Sequence, residues 1–179
     1  WETNELARLK QQTTWHAVRP VQATATGSKL SVLPDQSILT QGPAPDQDTY
    51  TILAKSPGEP TANKITALRI DALRHESFPK NSLSFSDSGN FVLTEIEVRL
   101  VNKNDSDDGS TPTEPVRIVS AEATYEQGSH SVTNAFDGNR GTGWAVYEGR
   151  HVDRDHAAVF RFEKPVLIEK DQTLQVVLK

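Results

Sequence analysis

Cysteine and methionine are both absent from the 179 residues. Without cysteine there is no disulfide, no thiolate metal site, no cysteine nucleophile and no anchor for a covalent haem. Without methionine there is no initiator residue, so the chain is expected to be cut from something longer or processed. Aromatic residues make up only 7% of the composition. No run of about 18 apolar residues is present to suggest a membrane-spanning helix. Basic charge is also in short supply. The 19 Lys and Arg stand against 24 Asp and Glu, which leaves no electrostatic footprint for nucleic acid. Common catalytic motifs are missing as well: there is no Gly-x-Ser-x-Gly elbow, no phosphate loop and no His-Glu-x-x-His pair. The pattern favours a binding or structural module over an enzyme.

What is present is a series of short apolar runs broken by glycine and proline. Lys29–Leu33, Ser37–Thr40 and Thr49–Ala54 are separated by turn residues such as Pro34, Gly42 and Pro45. Lys64–Leu73 alternates apolar and polar side chains with period two, as a half-buried strand does. Asn90–Val101 is the strongest strand signal, with Ile96, Val98 and Leu100 on one face. Pro115–Ala121, Ala157–Phe162 and Leu174–Leu178 add further strands. The stretch 74–89 reads as a long loop, a class of segment that often carries function. The expected fold is an all-β antiparallel β-sandwich of jelly-roll type over residues 15–179. Residues 1–14, with Leu6 and Leu9 at helical spacing, are expected to form a short helix, tail or linker.

The sharpest chemical signal is Asn134–Trp144. It holds one carboxylate, a hydroxyl and three glycines in eleven residues. Glycines let the backbone turn sharply and aim carbonyls at one point. Asp137, Asn139 and Thr142 supply hard oxygen donors of the kind calcium takes. The same residues also suit an Asx turn, in which Asp137 accepts backbone N–H groups. Trp144 reads more naturally as core beneath this loop than as an exposed stacking ring. Asn104–Gly109 resembles the start of an EF-hand, but its twelfth position is Pro115, so a solvated acidic turn is expected.

Several segments stand in an order that resembles a known family. They are Ser37–Leu39, Asp48–Tyr50, Ile65–Ile70, Gly89–Glu95, Ala135–Asn139, Gly143–Ala145 and Ala158–Phe160. Together they resemble the non-haem β-sandwich domain of large planctomycete cytochrome-c-associated proteins. That domain is similar to galactose-binding-like sandwiches of the discoidin and coagulation-factor type C kind. The resemblance implies a structural calcium on Asp137, Asn139 and Thr142, with Glu95 as the strand glutamate beside the loop. Here the glutamate strand precedes the loop, which implies a permuted chain order. The resemblance also implies an extracellular, periplasmic or cell-surface setting within a larger protein. No Cys-x-x-Cys-His exists, so no haem is expected in this chain.

The resemblance directs the functional expectation to a non-catalytic carbohydrate-binding module. Its ligand would be a polysaccharide or oligosaccharide, and its other partners the remaining domains of the parent protein. The alternative is a structural or protein-interaction sandwich that packs on neighbouring domains and binds no glycan. Tyr147–His156 concentrates two arginines, two histidines and three carboxylates in ten residues. Arg150, His151, Asp153 and Arg154 suit vicinal sugar hydroxyls through bidentate hydrogen bonds, and Tyr147, Tyr125 and Trp15 are the candidate stacking rings. The competing reading of this stretch is a solvated, salt-bridged loop.

Overall fold

The computed structural model describes residues 15–55, 64–102 and 114–179. The described chain is nearly all β. Its strands are β1 (Arg19–Ala25), β2 (Lys29–Val32), β3 (Ile38–Gln41), β4 (Tyr50–Lys55), β5 (Ile65–Ala72) and β6 (Val92–Leu93). They continue with β7 (Ile96–Asn102), β8 (Glu114–Pro115), β9 (Ile118–Ala123), β10 (Trp144–Ala145), β11 (His156–Val166) and β12 (Gln172–Leu178). Two short 3-10 turns, Pro79–Asn81 and Val132–Phe136, are the only helical pieces among the described residues.

Two antiparallel sheets form the sandwich expected from the strand pattern. The larger has five strands in the order β1-β4-β12-β7-β8, and the smaller has three in the order β5-β11-β9. Two short pairs, β2–β3 and β6–β10, complete the described strands. β11 is the spine of the smaller sheet, paired with β5 on one side and β9 on the other. Its Ala158, Phe160 and Phe162 alternate inward while Arg161 and Glu163 point out, as period two requires. Facing them are Ile96 and Val98 of β7 and Leu174 and Val176 of β12, all buried. Val98 sits opposite Val176 and Leu100 opposite Leu174. Each fully buried side chain of this size contributes about 1.5–3 kcal/mol of transfer free energy.

The expected single strand from 90 to 101 is split into β6 and β7. The cause is non-local. The N–H groups of Thr94 and Glu95 both point at the Lys179 carbonyl, at 2.7 and 3.4 Å, and the Lys179 N–H returns to the Glu95 carbonyl at 2.9 Å. Ahead of that break the chain swings over to pair with β10, placing Leu93 opposite Trp144. The expected N-terminal helix or tail and the acidic turn at 104–109 lie outside the described residues.

Burial is uneven across the larger sheet. The core cluster draws on β7, β12, β11 and Leu68 of β5. β1 contributes no buried residue, and β4 only Ala54. The smaller sheet is two strands narrower, so it covers β7 and β12 and leaves the β4–β1 side open.

Candidate functional site

Two regions hold the chemistry: the loop end around Trp144, and the open side of the sandwich. At the loop end Trp144 is core, with 1% of its surface exposed. Its ring meets Phe91 edge-to-face at 5.2 Å between centroids, and its Nε1–H donates to the Tyr125 carbonyl at 2.9 Å. Gly143, just before it, admits no side chain. A Cβ there would stand 2.8 Å from the Leu93 carbonyl oxygen and 2.7 Å from a Val92 methyl. Two amides that sequence reasoning passed over then fix the chain beyond the tryptophan. Asn90 Oδ1 accepts from the Val146 N–H at 2.9 Å, and its Nδ2 donates to Gln127 Oε1 at 3.1 Å. Gln127 Oε1 also accepts from the Tyr147 N–H at 3.2 Å. The available signal was the Gly89–Asn90 pair, since Gly89 holds φ at +74° and a Cβ there would clash with Ser82.

The motif loop closes on itself as an Asx turn. Asp137 Oδ1 accepts from the Asn139 N–H at 2.8 Å, and Thr142 Oγ1 donates to Asp137 Oδ2 at 2.8 Å. The Asn139 side chain is spent on the Gly141 N–H, at 3.0 Å. Glu95 is buried beside this loop, and its Oε1 has no hydrogen-bond partner. Burial raises its pKa most. A hydrogen bond from the Gly138 N–H opposes that shift, and the Asp137 carboxylate adds to it. The chain therefore brings Glu95 and Asp137 together from strand and loop positions 42 residues apart in sequence (137 minus 95).

As a test of fit for calcium, the donors are all hard oxygens and one of them, Glu95 Oε1, is buried with no partner, both of which suit the ion. No cluster of three His, Cys, Asp or Glu side chains able to hold a metal occurs among the described residues. A cation here would rest on the two carboxylates, the Thr142 hydroxyl and backbone carbonyls. Asn139 could offer its carbonyl, which accepts from the Thr142 N–H at 3.0 Å and lies 2.7 Å from Thr142 Oγ1.

The Tyr147–His156 loop is a salt-bridged surface. Glu148 meets Arg154 at 3.0 Å and Arg150 at 3.8 Å, and Arg150 also meets Asp153 at 3.6 Å. Exposed pairs of this kind are worth about 0.2–1 kcal/mol, so pairing alone would not withhold these arginines from a ligand. Shape counts for more. Sugar sites are concave, whereas this loop encloses no space that would admit even a water molecule. Tyr147 and Tyr125 are partly buried and pack against the core cluster, so neither stands free as a stacking platform. Trp15 alone of the three rings is exposed, at 42%. His151 Nδ1 lies 3.2 Å from the Asp87 carbonyl. His156 is buried against Thr124 Oγ1 at 3.2 Å, and burial lowers its pKa.

The open side of the sandwich is a cleft of about 2420 Å³, far above the roughly 300–1,000 Å³ of small-molecule sites. Its lining has a telling rhythm. From β4 it takes Tyr50, Ile52 and Ala54, and from β12 Leu174, Val176 and Leu178, always alternate residues. Those strands present a face. From β5 it takes every residue, and from β3 Ile38, Leu39 and Thr40 in succession. Those strands present an edge. Trp15 stands at the border of the cleft.

Asp48 anchors the outer corner of this region. It accepts from the N–H groups of Thr26, Gly27, Ser28 and Thr49 and from the hydroxyls of Thr26 and Ser28, at 2.6–3.0 Å. Partial burial pushes its pKa up, but hydrogen bonds from Ser28, Thr26 and Gly27 outweigh that and hold the carboxyl far below its usual range. This ties the β1–β2 turn to the start of β4.

No protein-family model, curated protein or solved structure matches the chain.

Proposed function

We propose that this chain is a non-catalytic accessory module that docks an extended polypeptide segment of a larger protein in the cleft beside β4. The observation that supports this reading is the open, mainly apolar gap between two sheets of unequal width. An apolar opening of that extent on a folded domain marks an interaction surface. Its size suits a chain better than a small molecule. The division into five and three strands supports a jelly-roll wiring of galactose-binding-like type. In the same reading the Glu95–Asp137 corner takes a structural calcium that stiffens the loop end, and the parent protein works outside the cytoplasm.

Carbohydrate binding is the second reading, and one observation favours it: the exposed Trp15 indole stands at the cleft border. The two readings separate in one experiment. The chain is run through affinity gels containing plant and algal polysaccharides, and in parallel is panned against a phage-displayed library of random short peptides. Docking predicts no retardation in the gels and enrichment of peptides with alternating apolar residues. Retardation by one glycan, lost in Trp15→Ala, with no peptide enriched, would replace docking with carbohydrate binding.

A further inference from the structure

We infer that the free edge of β5 is a strand-addition site, which takes one extended segment lying between β5 and β3 above the face of β4. The inference rests on the polypeptide-docking reading and specifies how the docked segment is held. β5 is eight residues long and pairs with β11 on one side. Its other edge has no strand partner among the described residues. An unpaired edge presents a row of backbone donors and acceptors, a ready template for another strand. Because every β5 residue borders the cleft, whereas β4 and β12 contribute only alternate residues, this edge opens into the gap.

The widths agree with that geometry. The larger sheet exceeds the smaller by two strands (five minus three), and strands lie about 4.8 Å apart. One added strand extends the smaller sheet over β4 and covers Ile52, which is now only partly buried. β3, which borders the same cleft and among the described residues pairs only with β2, forms the facing wall. That wall decides the occupant. A second copy of the chain would bring its own sheet behind its β5, and β2–β3 stands in the way of such a sheet. A single segment meets no such obstacle.

The chemistry of the segment follows from its two faces. Residues turned toward β4 meet the partly buried Ile52 and must be apolar. Residues turned outward run beside the exposed Arg69–Asp71 ion pair, at 2.7 Å, and must be polar. The partner is an extended peptide of alternating apolar and polar residues.

The test uses the peptide acetyl-Thr-Val-Lys-Val-Thr-Val-Lys-Val-Thr-amide, labelled for fluorescence anisotropy, together with amide exchange of the whole chain. Strand addition predicts saturable binding and new protection of β5 amides in the complex. It also predicts that Thr66→Lys, at an exposed cleft position, weakens binding by roughly tenfold or more, since inward-pointing charge blocks an edge. Asp71→Asn, on the opposite face, should change binding less than Thr66→Lys does. Binding without new β5 protection would overturn the edge site while leaving docking intact. Absence of any binding by this peptide, with none from the random library, would overturn docking itself. If Thr66→Lys melts lower, β5 protection in the unsubstituted chain still decides the matter. Full β5 protection in the free chain would also overturn the inference, because the edge would already be covered.

Discussion

The two sides of the sandwich are built from similar strands and end in different states. On one side β7, β12 and β11 interlock through Val98, Val176 and Phe160, and Trp144 plugs the end. On the other, Ile52 of β4 and the outer edge of β5 border a gap, although Leu68 of β5 still reaches the core. What differs is coverage: among the described residues, three strands face five. Side-chain pattern decides which face of a strand is turned inward, and sheet width decides whether anything is there to meet it.

The largest test of this contrast is a pair of truncations. Phe160→Ala removes a ring with no exposed surface and should cost about 3–5 kcal/mol, as such core deletions do. That is a large share of the roughly 5–15 kcal/mol that holds a typical domain folded. Ile52→Ala, on the cleft floor, should cost about 1 kcal/mol, because the side chain is only partly buried. Urea midpoints measured on both variants decide the point. Equal losses would mean that the open side is in fact packed.

Next in size is Asp48→Ala, which strips six hydrogen bonds from a charged acceptor at the open side. Water can replace part of them, so the expected loss is about 2 kcal/mol, near that of one strong charged hydrogen bond. The loss should fade in acid. A carboxyl whose folded pKa is depressed contributes stability above its unfolded pKa and loses it as pH falls toward the folded one. A thermal-denaturation series from neutral pH downward would check the sign. An unchanged difference across that range would count against the ionic account of this corner.

Glu95 is the opposite acid, on the packed side. Its folded pKa is raised, so its protonated form favours folding below the unfolded pKa, and that contribution disappears as pH rises through the folded value. At neutral pH in chelator, Glu95→Gln should therefore raise the melting temperature, by the equivalent of about 1 kcal/mol. Calcium should stabilise the parent chain by mass action and leave Glu95→Gln unmoved. A calcium shift of the same size in both would remove Glu95 from the cation site. The smallest expected effect is at the β2–β3 turn, where Gln36 holds φ at +72°. Gln36→Gly should stabilise by about 0.5 kcal/mol, since glycine adopts that conformation without steric cost but loses more entropy on folding.

How much of this was legible in the sequence follows the range of the interactions. Period two marks β5, β7 and β11, and a small-residue turn before Trp144 points to a buried ring. Those are local signals. The break between β6 and β7 was hidden, because apolar residues stand on both sides of Thr94 and Glu95 and the interrupting partner, Lys179, lies 84 residues away (179 minus 95). Asp48 looked like any acid in a turn, and its donors come from a segment about twenty residues earlier. Arg150 and Arg154 look like sugar ligands by type, yet shape decides their use and shape is tertiary. The cleft had no local signature, since a strand that faces a gap has the same alternation as one that faces a core.

The central claim is that one side of this sandwich stands open and waits for a strand. Amide exchange measured strand by strand on the free chain tests it most directly, since exchange reports local opening. The account predicts slow exchange in β7, β11 and β12 and markedly faster exchange at the β5 amides that do not face β11. Protection of those β5 amides equal to that of β11 would contradict it, because the edge would then be closed in solution.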